Sequence, residues 1–380
     1  FINVVHVNGQ ADVNLGSVIL VNGKQNDSYI SGIQHVRRRE TIAMTPDSAL
    51  IALNQLIAKP PLNLPKSDDT AATKKTVLGL IKEITGTSSR AVIASSGLSM
   101  QYAIVMGLIH DAMEKNPGKA IRIVVPPNCY GGTNDQARRV AECIDSVEIM
   151  DLPVDKGNNM VQSTDIVLDN IAAEDAIPFI IAEIPTSPRI EVPDLIKLEE
   201  VLSKKRKNAN GEIAIDPVFI LDQTFCPNVH FLGEEDILKT VRTVAYVSGS
   251  KFPSGGKCTA GYCVANKKAE TLMEKIDLHL RLCDNEATPH QMEILAKQMP
   301  SMNQRIQDAY KNTREFTNFI KENLPEAKIN FVSEELAEMG FTPSVFSVDL
   351  PTRGNSEEER EAFKRRLNHK LIGLMISEIP

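Results

Sequence analysis

The sequence predicts an α/β fold in which a mostly parallel central sheet carries helices on both faces and a smaller α+β domain follows at the C-terminal end. From about residue 90, short apolar runs alternate with helical stretches, the rhythm of strand and crossover helix in parallel sheets. The runs are apolar throughout rather than alternating, as strands buried on both faces require. In bulk, 380 residues with 42% hydrophobic content can bury a core of two or three domains.

The first sixty or so residues lack the rhythm and scatter Gly, Asn and Pro, so residues 1–60 read as an arm with a short helix. Residues 61–275 form the large domain. Its strands are expected at Ala91 to Ala94, Ile121 to Val125, Val147 to Leu152, Phe179 to Ile184, Val218 to Leu221 and Thr243 to Val247. A helix is expected from Leu98 to about Glu114. Residues 276–380 form the C-terminal domain, with strands at Lys328 to Val332 and Val345 to Leu350 and a charged helix from Ser356 to about His369. The chain opens at Phe1 without methionine and ends at Pro380 in a half-finished pattern, so further residues are expected at both ends.

The formal charge of -7 argues against nucleic-acid binding, because an acidic surface repels a phosphate backbone. The basic clusters Arg37-Arg38-Arg39 and Lys204 to Lys207 read as solvated surface. The longest apolar runs are too short to cross a bilayer and no signal-like stretch opens the chain, which gives a cytoplasmic location by default. Six cysteines without a Cys-x-x-Cys pair fit reduced, mostly buried thiols and no metal site. Gly255-Gly256-Lys257-Cys258 fails as a phosphate-binding loop, since Cys258 stands where a Ser or Thr is needed. No Gly-x-Gly-x-x-Gly follows a strand, which disfavours a nicotinamide enzyme.

Chemistry concentrates at the strand ends, where ligands of such sheets bind. In Val247-Ser248-Gly249-Ser250-Lys251-Phe252 a lysine amine follows two small hydroxyls. An amine that captures an aldehyde and hydroxyls that hold a phosphate fall within four residues. Asp222 closes the run Val218 to Leu221 and is followed by Gln223 and Thr224; a carboxylate there can hold a protonated ring nitrogen. Ser95-Ser96-Gly97-Leu98-Ser99 joins a strand to a helix, so the Gly97 and Leu98 amides can seat an anion. Cys129-Tyr130-Gly131-Gly132-Thr133 offers an aromatic ring on a glycine-rich loop. Glu183-Ile184-Pro185-Thr186-Ser187-Pro188 lies at another strand end.

In this order and spacing the motifs resemble the Cys/Met-metabolism family of pyridoxal-phosphate enzymes, the group of cystathionine synthases, cystathionine lyases and methionine γ-lyase. The resemblance spans roughly residues 65 to 380. It implies pyridoxal-phosphate fold type I, aspartate-aminotransferase-like, with pyridoxal 5'-phosphate held in the large domain. Lys251 would carry the cofactor as a Schiff base, Asp222 hold its ring nitrogen, Tyr130 stack on the ring, and Ser96, Gly97, Leu98, Ser248 and Ser250 surround the phosphate, with Glu183, Ser187 and Thr224 completing the site. It also implies an amino-acid substrate and a homodimer or homotetramer. The reaction would be elimination or replacement at the β or γ carbon of a sulfur-containing amino acid; transamination and cofactor binding without turnover share these motifs. Lys251, Asp222 and Tyr130 are the catalytic candidates.

Two departures stand out. Ser187 occupies the place of the family's Asn. The Tyr-x-Arg pair that reaches a neighbouring subunit's phosphate is replaced by Asn63-Leu64-Pro65, leaving Tyr29 and Arg37 to Arg39 as substitutes by chemistry alone. The family's substrate-carboxylate arginine would fall beyond residue 380.

Overall fold

The computed structural model describes residues 2–8, 14–32, 46–57, 70–154, 159–283 and 285–378. It begins with an antiparallel hairpin of β1 (Ile2–Asn8) and β2 (Asn14–Val21), a helical stretch at 27–32 and helix α1 (Pro46–Leu56). The hairpin is unforeseen by the sequence reading, which gave this region an arm and a helix. Its apolar residues alternate only in part, and Ile2, Val4, Ile19 and Leu20 are exposed.

Helix α2 (Thr70–Thr85) leads into the main body: β3 (Ala91–Ala94), α3 (Gly97–Lys115), β4 (Ile121–Val125), α4 (Gly131–Glu142), β5 (Val147–Asp151), α5 (Met160–Ala173), β6 (Ile177–Glu183), α6 (Leu195–Ser203), β7 (Val218–Asp222), β8 (Arg242–Ser248) and β9 (Gly261–Ala265). These strands form one seven-stranded sheet in the order β3-β9-β8-β7-β6-β4-β5. Only β9 runs against the rest, between β3 and β8. The reading in sequence missed β9. Its run Gly261-Tyr262-Cys263-Val264-Ala265 opens on glycine and follows a glycine-rich turn without a helical stretch between, so the strand-helix rhythm did not announce it.

Alternation along the strands explains the two covered faces. Val218 and Ile220 point into one core and Phe219 and Leu221 into the other. The first core is capped by α3, α4 and α7 (Leu272–Leu282), through residues such as Ile104, Ala137 and Ile276; the second by α2, α5, α6 and α8 (Pro289–Gln298), through Ile81, Leu168, Leu198 and Leu295. Helix starts are marked by side chains. Ser96 caps α3, Asp194 caps α6, and Thr288 with Gln291 makes a capping box ahead of α8, with Pro289 at its first position.

The C-terminal part holds α9 (Met302–Asn323), a small antiparallel sheet of β10 (Lys328–Asn330) and β11 (Ser347–Asp349) with α10 (Glu334–Glu338) between them, and α11 (Glu357–Glu378). Both strands are shorter than expected, and the final helix runs past His369. Tyr310 stacks on Phe331, and the Arg314 guanidinium lies 4.6 Å from the Phe331 ring centre.

Candidate active site

The C-terminal ends of β3, β4, β6, β7 and β8 and the start of the reversed β9 meet at one edge of the sheet, and a cavity of about 310 Å³ opens there. The expected site residues Ser96, Gly97, Leu98, Tyr130, Glu183, Ser187, Asp222, Thr224, Ser248, Ser250 and Lys251 all line it. Gln101, Thr133, Pro185, Phe225, Tyr246 and Thr259 line it as well, and the sequence reading did not single them out.

One wall is the start of α3. The Ser96 side chain accepts the Ser99 amide at 3.0 Å and its carbonyl takes the Met100 amide, while the geometry of a helix leaves the Gly97 and Leu98 amides without intrahelical acceptors. These two amides and the helix dipole make a seat for an anion, with Ser248 and Ser250 beside it. Glycine is required here by crowding. A β-carbon on Gly97 would stand 2.9 Å from the Ser248 β-carbon, and one on Gly261 would stand 2.4 Å from the Ser96 carbonyl oxygen.

Tyr130 sits at the start of α4, its side chain half exposed at the cavity mouth. The stretch expected as a glycine-rich loop is shorter than supposed, because Gly131 and Gly132 already belong to that helix. The Tyr130 amide donates to Glu183 Oε1 at 2.6 Å.

The floor is carboxylate. Glu183 and Asp222 are register partners at the ends of β6 and β7, so their side chains leave the sheet on the same face. Both are buried, and Glu183 Oε2 has no hydrogen-bond partner. Burial, with the charge of Asp222 added, pushes the Glu183 carboxyl up to about 8. Burial also raises Asp222, against the opposing pull of hydrogen bonds from Thr224 and Tyr246 and of the Lys251 charge. Asp222 Oδ1 accepts the Thr224 amide at 2.8 Å, and Thr224 Oγ1 accepts the Ser248 amide at 3.0 Å, which ties the ends of β7 and β8 together. A pair of this kind calls for a cation. Burial and the same two carboxyls push the Cys129 thiol well above its usual range, which leaves it without nucleophilic character at neutral pH.

Tyr29 is exposed and does not line the cavity; Arg37 to Arg39 and Asn63 to Pro65 lie outside the described residues. Gln101 and Tyr246 carried a faint signal, each being a polar group inside an otherwise apolar helix or strand run.

The family model for Cys/Met metabolism PLP-dependent enzymes matches residues 69–337. Among solved structures, cystathionine gamma-lyase from yeast superposes with a TM-score of 0.57 at 15% identity, over 76% of this chain and 68% of that one. The metB structure from Corynebacterium glutamicum gives 0.54 at 17%, over 72% and 66%, and cystathionine gamma synthase from Xanthomonas oryzae pv. oryzae gives 0.52 at 16%, over 76% and 69%. The match thus spans about two thirds of those chains. No curated protein sequence matches this one.

Proposed function

Because the chain belongs to the Cys/Met metabolism family of PLP-dependent enzymes, we propose that its cavity holds pyridoxal phosphate on Lys251 and that the protein is a lyase or transferase acting on sulfur-containing amino acids. The observation that carries this is the convergence of an amine, Lys251, a buried carboxyl, Asp222, and a helix N-terminus, that of α3, on one cavity. The family also supports the reaction class, elimination or replacement of the cystathionine type.

The residues present fit the cofactor. The Gly97 and Leu98 amides with Ser96, Ser248 and Ser250 supply donors for a phosphate at a cradle that a β-carbon on Gly97 would fill. Asp222 and Glu183 are both buried, and a protonated ring nitrogen would add to the Lys251 charge that already favours an ionised Asp222. Tyr130 at the mouth would cover the ring face, with Glu183, Ser187 and Thr224 around its rim. When bound, the cofactor supplies an aldehyde that captures amines and a ring that accepts electrons from the substrate's α-carbon.

Lys251 would hold the cofactor's aldehyde carbon, and its freed amine would take the proton from the substrate's α-carbon. Asp222 would keep the ring nitrogen protonated through a charge-assisted hydrogen bond. Tyr130, half exposed and lining the cavity, would pass a proton to or from the leaving sulfur. The active unit is a homodimer or homotetramer, and the compartment is the cytoplasm, a reading supported by six unbonded cysteines, four of them buried.

Borohydride, which turns a carbon–nitrogen double bond into a stable amine, tests this reading. It should trap the cofactor on Lys251 of the wild-type protein, and Lys251→Ala should trap none and lose turnover of cystathionine, cysteine, homocysteine and an activated homoserine alike. Trapping on Lys257 instead would move the anchor and overturn the assignment.

A further inference from the structure

The seam between the end of β3 and the start of β9 holds a buried amide that the proposed chemistry does not use. Gln291 is the third residue of α8, and its Oε1 accepts the Thr288 amide at 2.8 Å as half of the capping box. The box needs only that oxygen, which a glutamate would supply as well. The nitrogen end is spent elsewhere. Gln291 is 1% exposed, and its Nε2 donates to the Ser95 carbonyl at 3.0 Å, to the Thr259 carbonyl at 2.7 Å and to Thr259 Oγ1 at 3.2 Å. Two N–H groups serve three acceptors, so one of them is shared between the two oxygens of Thr259.

This amide has one workable orientation. Turned over, it would set its oxygen against two carbonyls and its nitrogen against the Thr288 N–H. Thr259 is therefore fixed as an acceptor, and a hydroxyl that accepts keeps its own proton to give. Among the described residues no acceptor takes that proton. Thr259 lines the cavity together with Gly97, Leu98, Ser248 and Ser250. The sheet explains why. Strand β9 lies between β3 and β8 and runs against both, so its start falls at the same edge as their ends. Gly261, two residues after Thr259, is the register partner of Ala94 on one side and of Ser248 on the other.

We propose that Thr259 is a further phosphate-binding residue of the cofactor site, its hydroxyl oriented by Gln291 and donating to the cofactor's phosphate. This rests on the functional reading above and deepens it. A phosphate presents three strong acceptor oxygens. The donors already assigned to it follow two strands only: the amides at the head of α3 come after β3, and Ser248 and Ser250 close β8. Thr259 enters the strand between them and supplies a donor from the middle of the seat. Gln291 touches Thr259 and is a positioning residue. It must be an amide, since a carboxylate in its place would keep the capping box but turn an oxygen on the Ser95 and Thr259 carbonyls.

The test compares two ligands on the full-length protein: pyridoxal 5'-phosphate, and pyridoxal, which has the same ring and aldehyde with a hydroxyl in place of the phosphate. Thr259→Val keeps the shape and removes the donor. Its dissociation constant for pyridoxal 5'-phosphate should rise about tenfold, as expected for one hydrogen bond to a charged group, while that for pyridoxal stays where it is. The phosphorus resonance of the bound cofactor should move with it. Thr259→Ser, which retains the hydroxyl, should hold the phosphate ligand as the wild type does, and Gln291→Met should weaken that ligand selectively but by less. If the valine variant fails to fold, Thr259→Ala carries the same comparison. A variant without the hydroxyl that binds both ligands like the wild type overturns the proposal by showing no contact, and one that loses both alike overturns it by showing a general structural role. Either result leaves the functional reading intact. A wild-type protein that takes up neither ligand brings down both.

Discussion

Glu183 shows how a single side chain can report on the whole site. Its carboxyl is buried, holds only the Tyr130 amide through Oε1 and faces Asp222, so its neutral form is favoured in the folded protein. In the unfolded chain it titrates near 4.5. The folded value is the higher one, so the stability that Glu183 contributes is complete below the unfolded value and is lost as pH rises through the folded value, near 8. The cofactor-free wild type should therefore lose stability between pH 5 and pH 8.5, on the order of 2 kcal/mol, relative to Glu183→Gln, which has no proton to lose. Urea midpoints at the two pH values decide it, and parallel pH profiles for the two proteins would show that Glu183 is ionised without penalty. Ser187 is the opposite case. It lines the same cavity where the resembling family has a longer amide, and its hydroxyl leaves that contact shorter.

At the scale of elements, the site is made by crowding where α3, β8 and β9 converge. An added β-carbon at Gly261 meets backbone, the Ser96 carbonyl oxygen at 2.4 Å and carbon at 2.7 Å, and backbone cannot rotate away. Gly261→Ala should cost about 2 kcal/mol or more and weaken cofactor retention with it, since Ser96 caps the helix that seats the phosphate. Gly79 in α2 has nothing within 4 Å of such a carbon, so Gly79→Ala should be neutral or stabilising by about 0.5–1 kcal/mol. Equal urea midpoints for the two variants would mean that the strand end yields. The same elements show what a sequence can disclose. The strands β3, β4, β6, β7 and β8 were legible because each is an apolar run bounded by polar residues, and motifs at successive strand ends fall on one edge whenever the strands are parallel. Reversed β9 and the Gln101, Thr133 and Tyr246 group were not. Their meaning lies in register between strands distant in sequence, which periodicity along one strand does not carry. The hairpin at the N-terminal end was hidden for a related reason, since its apolar residues answer to no core within the main body.

For the molecule as a whole, the N-terminal segment is the part that a single chain explains least. Its hairpin and α1 gather a small cluster of their own, Val7, Ile51 and Ala52 with Val18 against it, separate from the two large cores. Around that cluster Ile2, Val4, Ile19, Leu20, Leu50, Leu53, Leu56 and Ile57 remain exposed. A two-stranded hairpin with so small a core is marginal in water, and scattered apolar residues become an interaction surface when they are contiguous in one small unit. The proposed phosphate seat adds a second reason. Its donors are amides and hydroxyls, and Lys251 is committed elsewhere, so a phosphate dianion there gains from a cation that the described residues lining this cavity do not supply. Both needs are met if two copies associate with the N-terminal segment of one laid against the other, as closed two-fold assemblies allow. The cofactor-loaded protein at micromolar concentration should therefore sediment as a dimer or tetramer, and a chain lacking residues 1–57 should shift toward monomer and hold pyridoxal phosphate at least about tenfold more weakly. The net charge of -7 does not oppose this, since a few charges spread over a surface are screened within about 10 Å at ordinary salt. A fully active monomer would end the assembly argument, whereas a truncated chain that stays dimeric with unchanged cofactor affinity would place the interface elsewhere on the surface.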